Sequence, residues 1–139
     1  MMAPAALDFR VPSDLAQIES IVAQVVHRCR ECRFDARQLS LNVPVALTEA
    51  IANAMLRGNG QDVGKEVRVR AEVTETRLVV EVEDEGAGFD LDACLEDPTT
   101  PENLEREDGR GLFLMRTLMD EVVRVEGVAN VVRLTLRRR

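Results

Sequence analysis

Two short stretches of alternation constrain this chain more than any other feature. Val67, Val69, Ala71 and Val73 alternate with charged or polar residues, and Leu78, Val80 and Val82 repeat the pattern after Glu75-Thr76. Successive side chains of a strand point to opposite faces, so each stretch is apolar on one side and polar on the other. The tight connection makes the pair a half-buried antiparallel hairpin. A sheet with one apolar face needs a second layer to cover it, and helices must supply that layer.

The rest of the sequence provides them. Leu15, Ile18, Val22, Val25, Cys29 and Cys32 recur at steps of three and four, which predicts an amphipathic helix to about Arg33. Ser13 or Asp14 is placed to cap it, and Asp14 with Gln17 has capping-box spacing. Before it, residues 6–11 read as a short strand ended by Pro12. Asn42 is placed to cap a second helix, with Pro44 in its first turn and Leu47, Ile51, Ala54 and Met55 on its apolar face. This helix runs to about Leu56, and Gly58-Asn59-Gly60 breaks it. A third helix begins near Gly109 and presents Leu112, Met115, Leu118 and Met119. Strands over about 121–127 and 130–137 form a second hairpin. The expected order is β-α-α-β-β-loop-α-β-β. It is an α+β two-layer sandwich, a mixed, mostly antiparallel sheet with helices on one face. No linker or repeat interrupts the elements, so residues 1–139 read as one domain. A domain of this size buries roughly 68% of the surface its unfolded chain exposes.

Charge and composition exclude several roles. Eighteen Lys and Arg stand against 25 Asp and Glu, a formal net charge of −7. That argues against a direct nucleic-acid surface, which needs excess positive charge, but not against one bound nucleotide. Four Phe with no Trp or Tyr leave little for base-stacking platforms. No run of 18 apolar residues is present and the N-terminus has no signal-peptide pattern, so the expectation is a cytoplasmic protein without a membrane partner. Arg137, Arg138 and Arg139 read as a solvated tail. Cys29 and Cys32, near His27, have the spacing of a metal or redox pair, but they continue the apolar stripe and no second pair completes a site. They read as core. His27 lies off the stripe and reads as exposed, and Cys94 has no assigned role.

Three constellations carry chemistry. Glu49 and Asn53 are four apart, on one helix face, each followed by Ala. A carboxylate and an amide oxygen so placed suit Mg²⁺ or its waters, or the carboxylate takes a proton from a hydroxyl or a water. Asp84-Glu85-Gly86-Ala87-Gly88-Phe89 follows a strand directly. Its glycines let backbone lie close against a flat ligand, and Asp84 can accept from an exocyclic amine. Gly109-Arg110-Gly111-Leu112 opens a helix, where glycine-rich backbone and free amides make an anion site. No Lys-Ser/Thr follows, so this is not a P-loop.

Taken together, a metal-binding helix, an amine-reading turn, a long loop and an anion-binding helix resemble the Bergerat ATP-binding fold of the histidine-kinase-like (GHKL) ATPases. The chain is most similar to the anti-sigma factor serine/threonine kinases of the RsbW and SpoIIAB type, from about Leu7 to Leu136. The most specific stretches are LTEAIANAMLRGN, VEVEDEGAGFD and DGRGLFLMRTLMDEV. The resemblance implies ATP and Mg²⁺ as cofactors. It makes Glu49 the general base or water-orienting group and Asn53 the Mg²⁺ holder. Asp84 would bind the adenine amine, with Gly86 and Gly88 lining the pocket. Gly109 and Gly111 would wrap the phosphates, with Leu112 beside them, and the segment 90–108 would be the ATP lid. The family pattern often has His where Arg57 stands, a lid Arg where Glu107 stands beside Arg106, and Gly-Thr where Ala129-Asn130 stands. Arg57, Arg106 and Arg110 are therefore the cations expected near the nucleotide, with Arg110 or Arg106 toward the γ-phosphate.

The function this implies is an ATP-dependent serine/threonine kinase and anti-sigma factor. It would phosphorylate a STAS-domain anti-sigma factor antagonist, hold a sigma factor or comparable regulator, and form a homodimer. Two other readings stand beside it. One is an ATP-binding sequestering partner that transfers no phosphate; the other is the separated catalytic domain of a histidine kinase.

Overall fold

The computed structural model describes residues 5–60, 62–85, 107–125 and 130–139, with backbone only for Ala5 and residues 107–110. The expected Gly86, Gly88 and Arg106, the lid over 90–106, and Cys94 lie outside the described residues. Five strands, β1 (Ala5–Pro12), β2 (Glu66–Val73), β3 (Arg77–Asp84), β4 (Glu121–Arg124) and β5 (Asn130–Arg137), form one sheet in the order β1-β2-β3-β5-β4. All four pairings are antiparallel, so the sheet has no parallel pair among the described residues. Helices α1 (Ile18–Glu31), α2 (Val43–Asn53) and α3 (Glu107–Leu118) supply the second layer.

The alternation decides which face they cover. Val67, Val69, Ala71 and Val73 of β2 and Leu78, Val80 and Val82 of β3 are buried in one cluster with α1, α2 and α3. The outer face carries Arg68, paired with Asp8 at 2.7 Å, and Arg70 and Arg133, both paired with Glu81. The Arg68 guanidinium, hydrogen-bonded to Asp8, holds that carboxyl below the usual carboxylate range. Such solvated pairs fix register more than they stabilise.

Helix α1 follows the predicted stripe with one exchange at its start. Leu15 is half-exposed in a single 3-10 turn (Leu15–Gln17), and Ile21 joins Ile18, Val22, Val25, Cys29 and Cys32 in the core. Asp14 is the cap, accepting from the Ala16 amide at 3.0 Å. Ser13 instead donates to the Lys65 carbonyl at 2.8 Å. At the far end Arg33 takes a left-handed φ of 65°. The reversal lets the Phe34 amide reach the Cys29 carbonyl at 3.1 Å and turns Phe34 into the core.

The second helix is longer and less regular than the pattern predicts. Two π-helical turns, Gln38–Asn42 and Ala54–Gly58, flank α2. Asn42 is not a cap. Its backbone is helical, and its Nδ2 donates to the Leu118 carbonyl at 2.7 Å, tying α2 to the end of α3. The continuous segment Gln38–Gly58 is long and apolar enough to cross a membrane by length and composition. Here Val43, Ala46, Leu47, Ala50, Ile51, Ala54 and Met55 are all buried, so its apolarity is that of a central core helix.

The arginine tail is docked rather than free. Gln38, 1% exposed, donates to the Arg137 carbonyl at 2.8 Å and accepts from the Arg139 amide at 3.3 Å. Arg139 also pairs with Asp120 at 2.9 Å.

Cys29 and Cys32 are buried, and burial pushes the Cys29 thiol up to about 12. Among the described residues no further His, Cys, Asp or Glu completes a metal-ligand group around them, which supports the core reading. In a Cys94→Ala background, a disulfide reagent at pH 8 is expected to label Cys29 and Cys32 only as fast as the protein unfolds. Prompt labelling in native buffer would contradict that burial.

Candidate functional site

Helix α2 brings Glu49 and Asn53 to one face, four residues apart. Their neighbours Ala50 and Ala54 are buried and add no bulk beyond a methyl group. Asp84 ends β3 on the inward register of Leu78, Val80 and Val82, so the alternation that fills the core also delivers a carboxylate to its edge. Asp84 is only 6% exposed.

The π turn after α2 completes the wall. In it the Asn59 amide reaches back five residues to the Ala54 carbonyl at 2.9 Å. This wider turn sets Gly58 directly against Asp84, where a Cβ would overlap the carboxylate. π turns of this kind concentrate at functional sites. Asn59 is a strut that the sequence reading passed over as part of a breaker. Its Nδ2 lies 2.9 Å from Ser13 Oγ and 3.0 Å from the Glu66 carbonyl, and its Oδ1 accepts from the Glu85 amide at 2.8 Å. It ties the end of β1, the start of β2 and the end of β3 together. The Glu66 amide also donates to the Glu85 carboxylate. An Asn between two glycines just past a helix was the available signal.

Helix α3 closes the other side. It begins at Glu107, two residues before the predicted start, so the last two positions of the expected lid are helical. The free amides of the helix N-terminus then include those of residues 107–109, among them Gly109. Gly111, the fifth residue, acts by close approach. A Cβ there would sit 2.7 Å from Glu49 Oε2 and 3.6 Å from Asn53 Nδ2.

Between these elements lies a narrow cleft lined by Ala50, Asn53, Ala54, Val82, Asp84, Leu112, Met115 and Val132. Its walls are apolar apart from Asn53 and Asp84, the usual build of a small-molecule site with few placed polar groups. Asn53 Nδ2 is buried without a partner. An unsatisfied buried donor costs about 1–3 kcal/mol, which an oxygen-rich ligand recovers. Asn53, Asp84 and Leu112 thus line one cleft, and Glu49 lies beside it through the close approach of Gly111 to Glu49 and Asn53. Arg57 is exposed on the π turn and does not line the cleft, and His27 is exposed on α1 beside Glu31. A broader concavity on the outer sheet face, around Arg70, Glu81 and Arg133, contains none of the expected site residues.

Among the described residues no group of three or more His, Cys, Asp or Glu could hold a metal alone. Glu49 and Asn53 nonetheless fit Mg²⁺, which keeps several waters and takes one or two protein ligands beside substrate phosphates.

Comparison with known proteins identifies the family. Residues 11–136 match the family described as the histidine kinase-like ATPase domain. The serine-protein kinase RsbW of Bacillus subtilis (strain 168) is 43% identical over 86 residues, 58% of this chain and 54% of that protein. The serine-protein kinase RsbW of Bacillus pumilus (strain SAFR-032) is 40% identical over 116 residues, 80% of this chain and 70% of that protein. The anti-sigma F factor of Thermoanaerobacter sp. (strain X514) is 29% identical over 97 residues, covering 68% and 67%. The matched stretch spans little more than half the length of the first of these relatives. With a family match across most of its length, the chain belongs to the histidine kinase-like ATPase domain family, in the branch of the RsbW and anti-sigma F factor proteins.

Proposed function

We propose that this protein is an ATP-dependent serine/threonine kinase and anti-sigma factor. The observation that supports the reading is that Asn53, Asp84 and Leu112 line one cleft while Gly111 packs against Glu49 and Asn53. Asp84 accepts from the exocyclic amine of adenine, and Gly58 leaves room for its carboxylate. The free amides at the start of α3, with Gly109 in that turn, hold the phosphates. The family resemblance would assign Gly86 and Gly88 to the pocket and the segment 90–108 to the lid. Asn53, with Glu49 beside it, would hold Mg²⁺, which neutralises charge between the phosphates when bound. Leu112 borders the nucleotide, and by the family pattern Arg110 or Arg106 would meet the γ-phosphate; Arg57, expected near the nucleotide, is exposed on the π turn instead.

Glu49 takes the proton of the incoming serine or threonine hydroxyl as its oxygen bonds to the γ-phosphorus. The bond from that phosphorus to the β,γ-bridging oxygen breaks, and ADP leaves. The hydroxyl belongs to a STAS-domain antagonist. Phosphorylation adds a charge of roughly −1.5 to −2, which ejects the antagonist and frees the kinase to hold a sigma factor. The protein works in the cytoplasm as a homodimer.

The test is transfer from [γ-³²P]ATP to STAS proteins encoded beside this gene. Label on a serine or threonine is the expected result. Label on a histidine would favour a histidine-kinase catalytic domain instead. Bound ATP with no transfer to any partner would favour the sequestering role.

A further inference from the structure

The edge of the cleft holds a hydrogen-bonded chain that the proposed chemistry does not use. Asn130, the first residue of β5, stands directly opposite Asp84 in the β3–β5 register. Its Nδ2 donates to Asp84 Oδ1 at 3.2 Å. Its own Oδ1 accepts from Arg124 Nη2 at 3.2 Å. Arg124 pairs with Val132 on β5, two residues along from Asn130 and on the same face, so the contact is a cross-strand diagonal.

The chemistry of the three groups allows one orientation. A guanidinium only donates and an ionised carboxylate only accepts, so the amide between them must turn its oxygen to Arg124 and its nitrogen to Asp84. Asp84 is then held from two sides. Gly58 lies against one flank of the carboxylate, where a Cβ would overlap it, and the Asn130 amide donates to Oδ1. Rotation of the carboxylate would break that bond or drive an oxygen into Gly58. A carboxylate so held meets an amine donor without reorganising, which is what makes a buried hydrogen bond selective.

We propose that Asn130, oriented by Arg124, is a positioning residue that sets the Asp84 carboxylate for reading the 6-amino group of a purine nucleotide. It touches the reader rather than the base. This rests on the assignment of Asp84 to the adenine amine.

The test compares affinity for ATP and for purine riboside triphosphate, which lacks the 6-amino group, by calorimetry. In Asn130→Ala the ratio of the two affinities is expected to fall about tenfold, with the analogue's own affinity unchanged. Arg124→Ala, on an exposed side chain, frees the amide to turn and is expected to lower the ratio about threefold. Asn130→Ser keeps a short donor and is expected to restore part of the ratio. Equal loss of both ligands in Asn130→Ala, or an unchanged ratio in both variants, would overturn the proposal. Asp84→Ala separates the two levels. A collapsed ratio there with an intact one in Asn130→Ala sinks this inference alone. An intact ratio in Asp84→Ala sinks the adenine assignment with it.

Discussion

Gly58→Ala is expected to lower ATP affinity by about a hundredfold and to cost about 1–3 kcal/mol of stability. The cause is geometric. A Cβ at Gly58 lands on the Asp84 carboxylate, with Oδ1 at 2.7 Å and the other atoms closer. Asp84 cannot retreat, because β3 is paired on one side with β2 and on the other with β5 through the Asp84–Asn130 position. The next residue is also pinned, since the Glu85 amide donates to Asn59. Either the carboxylate turns out of the cleft or the π turn opens. Gly60, two residues on, is the control. It has φ of 61° and nothing near its missing Cβ. Gly60→Ala is expected to cost about 1 kcal/mol through backbone strain and to leave ATP binding intact. Calorimetric titration with ATP and urea unfolding separate the two variants. Wild-type ATP affinity in Gly58→Ala would contradict the place given to Asp84.

Glu49→Gln is expected to cut phosphotransfer by about 10²–10⁴-fold while ATP affinity stays within about threefold. The amide keeps the size and most of the polarity of the side chain but accepts no proton at neutral pH. Single-turnover transfer to the partner protein, beside nucleotide binding, reads the two effects apart. Transfer at the wild-type rate would remove Glu49 from the role of base. The packing of Gly111 offers a second readout. Gly111→Ala brings a methyl group 2.7 Å from Glu49 Oε2, so its destabilisation is expected to shrink when Glu49 is also changed to Ala. Additive losses would mean that the contact is not what constrains Gly111.

Much of this fold was legible because period-two alternation is a physical requirement rather than a tendency. Val67 to Val73 and Leu78 to Val82 assigned the hairpin, its buried face and, by extension, the inward carboxylate of Asp84. The spacing of Glu49 and Asn53 likewise put them on one side of a helix, where the structure has them. What escaped was tertiary. Leu15 fits the apolar spacing of α1 but sits in a 3-10 turn whose pitch carries it outward. Asn42 has the chemistry of a cap, yet the helix begins before it and its amide is taken by the Leu118 carbonyl, 76 residues away. The π turns have no periodic signature short enough to read, so the contact of Gly58 with Asp84 was hidden in residues read as a breaker, and the close approach of Gly111 to Glu49 is a helix–helix contact that no local pattern announces. The arginine tail looked free because its partner, Gln38, lies about a hundred positions earlier and offers no local pattern.

The measurement that bears most directly on the central claim is amide chemical-shift mapping of Mg²⁺-ATP on ¹⁵N-labelled protein. Among the described residues, two concave surfaces can be compared, the cleft between α2, β3 and α3 and the charged outer face of the sheet. The largest changes are expected at Asn53, Gly58, Asp84, Gly111 and Leu112, with Arg70, Glu81 and Arg133 unmoved. Changes centred on Arg70, Glu81 and Arg133, with Asp84 and Gly111 unaffected, would contradict the account.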